Sequence, residues 1–416
     1  MKFVSNLLTA GCILVTACGS ISLRADEPKP ARDAAASTAT RSTVAPNAAG
    51  IYWQAFSAMP TLNDEQKKPF EAAISSTTST LTPELGPIVS RFNVSLHELH
   101  RARSVGPCDW QLDFDAGPQL LLPHLQKARE LARVALLRAR LRFAAGETDA
   151  AIIDVLDVYK MARDCGCQPI LIAFLVDVAI EKMTNDVLAA HLPLLKPEQL
   201  DSLAAELQKL PPTSSVASCI QSEERMFGDW LDRRIHAEAA KLNDPQAGGK
   251  LLRILGADTG LESELQPKPD DAEGKRKADL LLSLTVAEVR ASLKQMRADY
   301  AELGAIATLP VAEQAPRLKK LEDALSEARK LTKREDAVRY FSTTLLPTVS
   351  NVLLREDQFL TRRGLMEQAI RVQRQGATAL QPVRSQRVEH KKTANGFELR
   401  CPAGNSEEVL IVGRTP

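Results

Sequence analysis

Aromatic side chains are scarce in this sequence: Phe, Trp and Tyr together supply 4 % of its 416 residues. Sandwich and barrel folds draw heavily on aromatic and β-branched residues, so their scarcity argues against an all-β architecture. An excess of either charge is also missing, with 53 basic against 52 acidic residues. A nucleic-acid-binding chain would show a clustered basic surplus, so that class is set aside. There is no Gly-x-Ser-x-Gly, no phosphate-binding glycine loop, no His-Glu-x-x-His and no haem-attachment motif. No reaction with a motif-level signature is therefore indicated, and no cofactor is expected. Long apolar runs are absent after the N-terminus. The longest, Ile170 to Val176, is too short to cross a bilayer and is followed by Asp177.

What the sequence does contain is Ala, Leu and charge at helical spacing, and the expected fold is mainly α. Helical hairpins would pack as an irregular bundle or solenoid, with a coiled-coil-like hairpin in the second half and a small C-terminal β-element. The organising stretch is three helices at about 119–145, 149–164 and 168–191. In the second of these, Ile152, Val155, Leu156 and Tyr159 make an apolar stripe, and Asp154, Asp157, Lys160 and Asp164 lie opposite. That spacing predicts an amphipathic surface helix. Gly146 suits a left-handed cap, Gly166 a helix end and Pro169 a helix start. The third helix opens apolar all round and belongs at the centre.

Residues 1–25 read as an export signal, with Lys2 before an apolar stretch from Phe3 to Cys18. Val15-Thr16-Ala17-Cys18 has the pattern of a lipobox, which would lipidate Cys18 and end the signal at residue 17. Cleavage after Ala25, or an uncleaved anchor, are the alternatives. Residues 26–49 hold Ala, Ser, Thr and Pro with few large apolar side chains, as a disordered linker does. An N-terminal helical domain is expected over 50–243, with early helices at about 50–58, 64–76 and 83–103. The irregular loop 106–118 follows them, and helices at about 196–210 and 214–242 close the domain. Gly248-Gly249, Gly256, Gly260, Pro267 and Pro269 mark 244–273 as a loop or linker. A helical hairpin region is expected over 274–380. There Leu282, Val286, Val289, Leu293, Met296, Tyr300 and Leu303 form a heptad stripe answered by Leu318, Leu321, Leu325 and Ala328. A further helix would run from about 335 to 375 with a kink at Pro347. A small β-containing tail, 381–416, carries Asn395-Gly396 before Phe397–Cys401 and Val409–Val412.

Five groups of residues could carry chemistry. His97, His100, Cys108 and His124 are the metal candidates, although their spacing matches no zinc motif. Asp109, Asp113, Asp115 and Gly117 have the residue types of a calcium loop without its spacing, and turns or caps use the same residues. Cys165-Gly166-Cys167 separates its thiols by one residue where redox motifs use two. In an exported chain, disulfides among Cys108, Cys165, Cys167 and Cys219 are the more natural use. Asp177, in the most apolar helix, should pair with Arg133, Arg138 or Arg140. The arginines from Arg129 to Arg142 should form a solvated surface bridged to Asp154 and Asp157.

Two resemblances carry these readings further. Ala145-Gly146-Glu147-Thr148-Asp149-Ala150-Ala151-Ile152, with Ala139, resembles the inter-helix turn of a tetratricopeptide repeat and covers a single repeat. Cys108-Asp109-Trp110, Gly117-Pro118, Leu121-Leu122-Pro123-His124-Leu125, Leu137-Arg138-Ala139-Arg140 and Gly396-Phe397 together resemble a set of uncharacterised exported bacterial helical proteins. This second resemblance implies an exported, mainly helical protein and no particular activity. The expected role is a non-catalytic scaffold or protein-binding protein of the bacterial cell envelope (periplasm or membrane-anchored lipoprotein). Its partner would be a protein or peptide, with no nucleic acid, and a membrane would be met only through the signal or a lipid anchor. The alternative is an envelope enzyme or metal-binding protein with its site around the Cys108–His124 loop.

Overall fold

A computed structural model describes residues 46–75, 79–259, 262–347, 349–404 and 406–413. The export signal, Cys18 and all but the end of the linker lie outside the described residues. The chain is mainly helical, and among the described residues it forms sixteen α-helices and one three-stranded antiparallel sheet at the C-terminus. No described helix is long and apolar enough to cross a membrane.

The expected linker stops short of residue 49, because α1 (Ala48–Ser57) begins there with Ala48 and Ala49 buried. The Asn47 side chain caps it by accepting from the Ala49 N–H and also clasps the backbone of Asp109 at both N–H and C=O. A reciprocal capping box, Asn63 with Gln66, starts α2 (Asp64–Ile74). The helix expected over 83–103 is two, α3 (Leu85–Ser90) and α4 (Asn93–Ser104). They part where Phe92 turns inward to stack on Phe70.

The three organising helices are present as α5 (Pro123–Ala144), α6 (Thr148–Gly166) and α7 (Leu171–His191). Gly146 joins the first two at φ +79°, the left-handed geometry expected of it. Gly166 works differently: it sits inside the last turn of α6, where a Cβ would fall 2.7 Å from an oxygen of Asp177. Its small size lets α6 and α7 close together. Short α8 (Pro197–Gln208) and long α9 (Val216–Leu242) follow.

Residues 244–273 are not a loop. They fold as α10 (Gly248–Thr259) and α11 (Glu262–Leu265), with Leu251, Leu252 and Leu255 buried. The glycines that resemble loop punctuation are contact points: a Cβ on Gly248 or Gly249 would lie 2.2 Å from the Leu284 carbonyl oxygen or 2.0 Å from that of Leu282. The heptad stripe is also divided. Leu282 ends α12 (Ala272–Leu282), and a Thr285–Glu288 capping box starts α13 (Val286–Ala307) afresh. The α13 seam packs chiefly on α9, and α14 (Val311–Arg329), the expected hairpin partner, takes a smaller share. Only Leu318, Leu321 and Ala328 are buried on α14. The segment from 335 onward breaks fully at Pro347 instead of kinking. A 3-10 turn over Arg334–Arg339 leads into α15 (Tyr340–Leu345), and α16 (Ser350–Gln375) starts anew. Proline lacks the N–H a helix needs and bars α geometry in the residue before it.

The sheet has strand order β1 (Glu389–Lys392), β2 (Phe397–Ala403), β3 (Ser406–Val412). Lys392 pairs with Phe397 across the Asn395-Gly396 turn, and Ala403 pairs with Ser406. Phe397, Leu399, Cys401 and Ala403 alternate inward along β2.

The apolar cores cross the boundaries expected at 243, 273 and 380. The first core joins α1–α8 to Leu365–Val372 of α16 and to the sheet. The second gathers α9–α15 with Leu171 and Phe174 of α7 and Leu353 and Phe359 of α16. Both α7 and α16 thus serve both cores, and Phe174 meets Phe359 edge to face at 6.0 Å.

Candidate functional site: the Trp110 loop and the buried acids of α6

The polar side of α6 does not face water. Asp154, Asp157 and Asp164 are 1 %, 1 % and 2 % exposed. Burying a carboxylate is costly unless a cation or donor meets it, and each of these acids is met by a different helix. Asp154 takes Arg138 (2.6 Å) and Arg142 (2.8 Å) from α5. Asp157 takes His100 (3.0 Å) and Arg103 (3.4 Å) from α4. Asp164 accepts from the Tyr52 hydroxyl of α1 (2.7 Å) and from Lys160 (2.6 Å). Burial raises the pKa of all three against the pull of these partners, and Asp157 is pushed up to about 6. α6 is therefore a central helix whose acids clamp three neighbours, and the surface-helix expectation fails for that reason. The expected bridging of the arginines to Asp154 holds for Arg138 and Arg142, but inside the fold, and Asp157 draws its cations from α4 instead.

The loop before α5 is built on the end of this ladder. The Trp110 indole N–H donates to the Asp164 carbonyl at 2.7 Å. Its ring stacks on His124 at 4.2 Å and lies among Tyr52, Phe56 and Trp53. Two of the three tryptophans, Trp53 and Trp110, meet here. Gln168 donates to the Asp109 carboxylate at 3.1 Å, and Asp109 accepts from the N–H of Gln111, which sits at φ +52°. Asp113 caps the 3-10 turn Phe114–Gln119 by accepting from Asp115 N–H, and Asp115 pairs with Arg233 at 2.9 Å. Gly117 (φ +56°) lies against Trp230, where a Cβ would fall 2.4 Å from the indole. The residues read as a calcium set thus turn, cap and pack, as their types also allow.

The four metal candidates are not brought together. His97 is exposed, and His100 is held by Asp157. His124 is buried beneath Trp110, and burial pulls its pKa down to about 4. Cys108 lies beside Cys167. All five described cysteines are free thiols. Cys165 is buried near Asp177, Cys219 lies in the second core near Glu223 and Glu356, and Cys401 lies on β2.

Asp177 does not pair with Arg133, Arg138 or Arg140. Arg138 goes to Asp154, and Arg140 donates to the Ala73 carbonyl (3.0 Å) and to Ser79. Asp177 instead belongs to a buried group of four that sequence reasoning missed: Asp177, Glu181, Arg163 and Arg363. Arg163 bonds Glu181 and the Pro211 carbonyl, and Arg363 donates to the Thr213 hydroxyl at 2.7 Å while lying over the Phe359 ring. Neither oxygen of Asp177 has a hydrogen-bond partner, although the Thr213 hydroxyl and the two arginines favour its anion. Burial and the neighbouring Glu181 drive its pKa well above the carboxylate range. The signal was present: Asp177 and Glu181, four apart at the apolar start of α7, share one face and call for buried cations.

One surface cleft of about 270 Å³ adjoins the Trp110 loop, between the 3-10 turn and α9. Phe114 and Met226 give it apolar walls, and Asp115, Asp229, Arg225 and Arg233 ring it with both signs of charge. No family model, no curated protein and no solved structure matches this chain.

Proposed function

We propose that this protein is a non-catalytic helical scaffold of the bacterial cell envelope that binds a protein or peptide. The reading rests on how the chemically capable side chains are used. Asp154, Asp157, Asp164, His100 and His124 join one helix to another or sit packed in the core, so the groups a reaction would need are occupied in holding the fold. The accessible feature beside them is the cleft of Phe114, Met226, Arg225 and Arg233. Aromatic, Met and Arg side chains are those that interfaces favour, and charges of both signs suit a zwitterionic peptide segment. Export rests on the Met1–Ala25 segment and on the resemblance carried by Cys108 to Arg142.

A photo-reactive amino acid in place of the exposed Arg225 tests the binding role in cells. A discrete adduct with one envelope protein is expected, and it should vanish when Met226→Ala reshapes the cleft. Cross-linking no greater than at a control position on exposed α14 ends the reading. Fractionation of the same cells tests export separately: a full-length chain confined to the cytoplasm removes the envelope from the proposal and leaves the cleft intact.

A further inference from the structure

Residues 108–110 lie in fixed register against residues 164–168. The Trp110 indole bonds the Asp164 carbonyl (2.7 Å), Gln168 bonds the Asp109 carboxylate (3.1 Å), and the Cys167 thiol bonds the Cys108 carbonyl (3.3 Å). Asn47 holds the same loop from its other side through both backbone groups of Asp109. Cys108 is thereby set opposite Cys167, both half-buried and within reach of small oxidants. Cys219 and Cys401 have no thiol among their charged and titrating neighbours. Cys165, although near Cys167 in sequence, is fully buried beside Asp177.

We propose that Cys108 and Cys167 are a redox-active pair that closes to a disulfide on meeting a disulfide oxidant such as glutathione disulfide. Cys167 is the attacking thiol: on ionising it gives up its bond to the Cys108 carbonyl, and the neighbouring Cys108 thiol lowers its pKa, while Cys108 itself is raised by that contact and by burial. The Cys167 thiolate attacks one glutathione sulfur, the glutathione S–S bond breaks, and one glutathione thiolate leaves. Cys108 then gives up its proton and displaces the second glutathione from Cys167. Two protein thiols are oxidised to one disulfide, and one glutathione disulfide is reduced to two thiols, which take up the two protons. The new bond would pin the Trp110 loop, and with it the Phe114 and Asp115 wall of the cleft, to the end of α6. This chemistry is independent of the binding role proposed above.

The test uses the full folded chain, reduced, freed of reductant and exposed to glutathione disulfide. The expected product has lost about 2 Da with no bound glutathione, and digestion joins the Cys108 and Cys167 peptides. Its melting temperature should rise by roughly 5 °C, because the link closes a long loop of the unfolded chain. Cys108→Ser should stop the reaction halfway, with one glutathione held on Cys167. A chain that stays fully reduced, a Cys165–Cys167 linkage, or glutathione trapped elsewhere overturns the proposal. The wild-type map alone decides the pairing if the variant does not fold.

Discussion

α6 and α13 are both central helices, one to each core, and they are held by different physics. On α6, three buried acids reach three separate helices, and beside it Asp177, Glu181, Arg163 and Arg363 form a second buried charge group. On α13, Val289, Leu293, Met296, Tyr300 and Leu303 pack an apolar seam against α9; its pair of Glu288 with Arg334 lies toward the surface, and its buried acid, Asp299, pairs with Arg339. A seam of this kind tolerates sliding and repacking, because hydrophobic burial has no direction. Buried ion pairs add little net stability when intact but cost several kcal/mol when one partner is removed. The first core should therefore be the more brittle to single polar substitutions and the more fixed in geometry.

The sharpest way to break the comparison is Arg163→Met. It leaves Glu181 and Asp177 with Arg363 alone in a buried site and should cost about 4 kcal/mol in denaturant unfolding. A loss under 1 kcal/mol would show the charge group to be dispensable. Leu303→Ala in the second core should cost about 3 kcal/mol through its cavity, with the transition remaining cooperative.

One buried group in each core responds to acid with opposite sign. In the first, the folded pKa of His124 lies at about 4, below the ordinary His value of 6.5. Its contribution is present above about 6.5 and lost as pH falls toward 4, since the unfolded chain takes the proton first. In the second, Glu223, which accepts from the Leu171 N–H at 3.0 Å, is raised to about 7. Its contribution is full below about 4.5 and lost as pH rises through 7. Each spans about 3 kcal/mol. His124→Phe, which keeps the stack on Trp110, should lessen the loss of stability between pH 6.5 and 4. Glu223→Gln should remove a gain over pH 7 to 4.5. Unfolding midpoints of both variants across that range check the signs, and matching slopes in the two variants would refute the assignment.

The same contrast explains what the sequence disclosed. The α13 stripe was legible because every member is apolar and only burial accounts for such spacing, yet its partner was misassigned, since a seam says nothing about which helix it meets. The Asn395-Gly396 hairpin was legible because that turn chemistry is local. α6 was misread because acids at helical spacing look alike whether they face water or buried partners, and those partners, the Tyr52 hydroxyl of α1 and the side chains of α4 and α5, come from outside the helix. Gly248-Gly249 was misread for a related reason: glycine marks close backbone approach as readily as a turn, and only the facing Leu282 and Leu284 carbonyls distinguish the two. Of the candidate site, the sequence marks the Cys108–His124 stretch as an irregular loop dense in polar residues. From sequence its residues read either as metal candidates or as turn and cap formers, because the buried partner that fixes Trp110, Asp164, lies 54 positions away.

The return of α16 and the sheet to the first core has a consequence for the order in which the chain is made. Leu365 to Val412 complete a core begun at Ala48, and the N–H of Gly413 bonds the Ala189 carbonyl at 3.0 Å. α7 therefore has no lid over one side until Gly413 has left the ribosome. The nascent chain must hold the apolar face of α7 exposed through synthesis of the entire second core, which can close first. The segments that meet last on this topology are Ala48–Leu203 and Leu365–Val412.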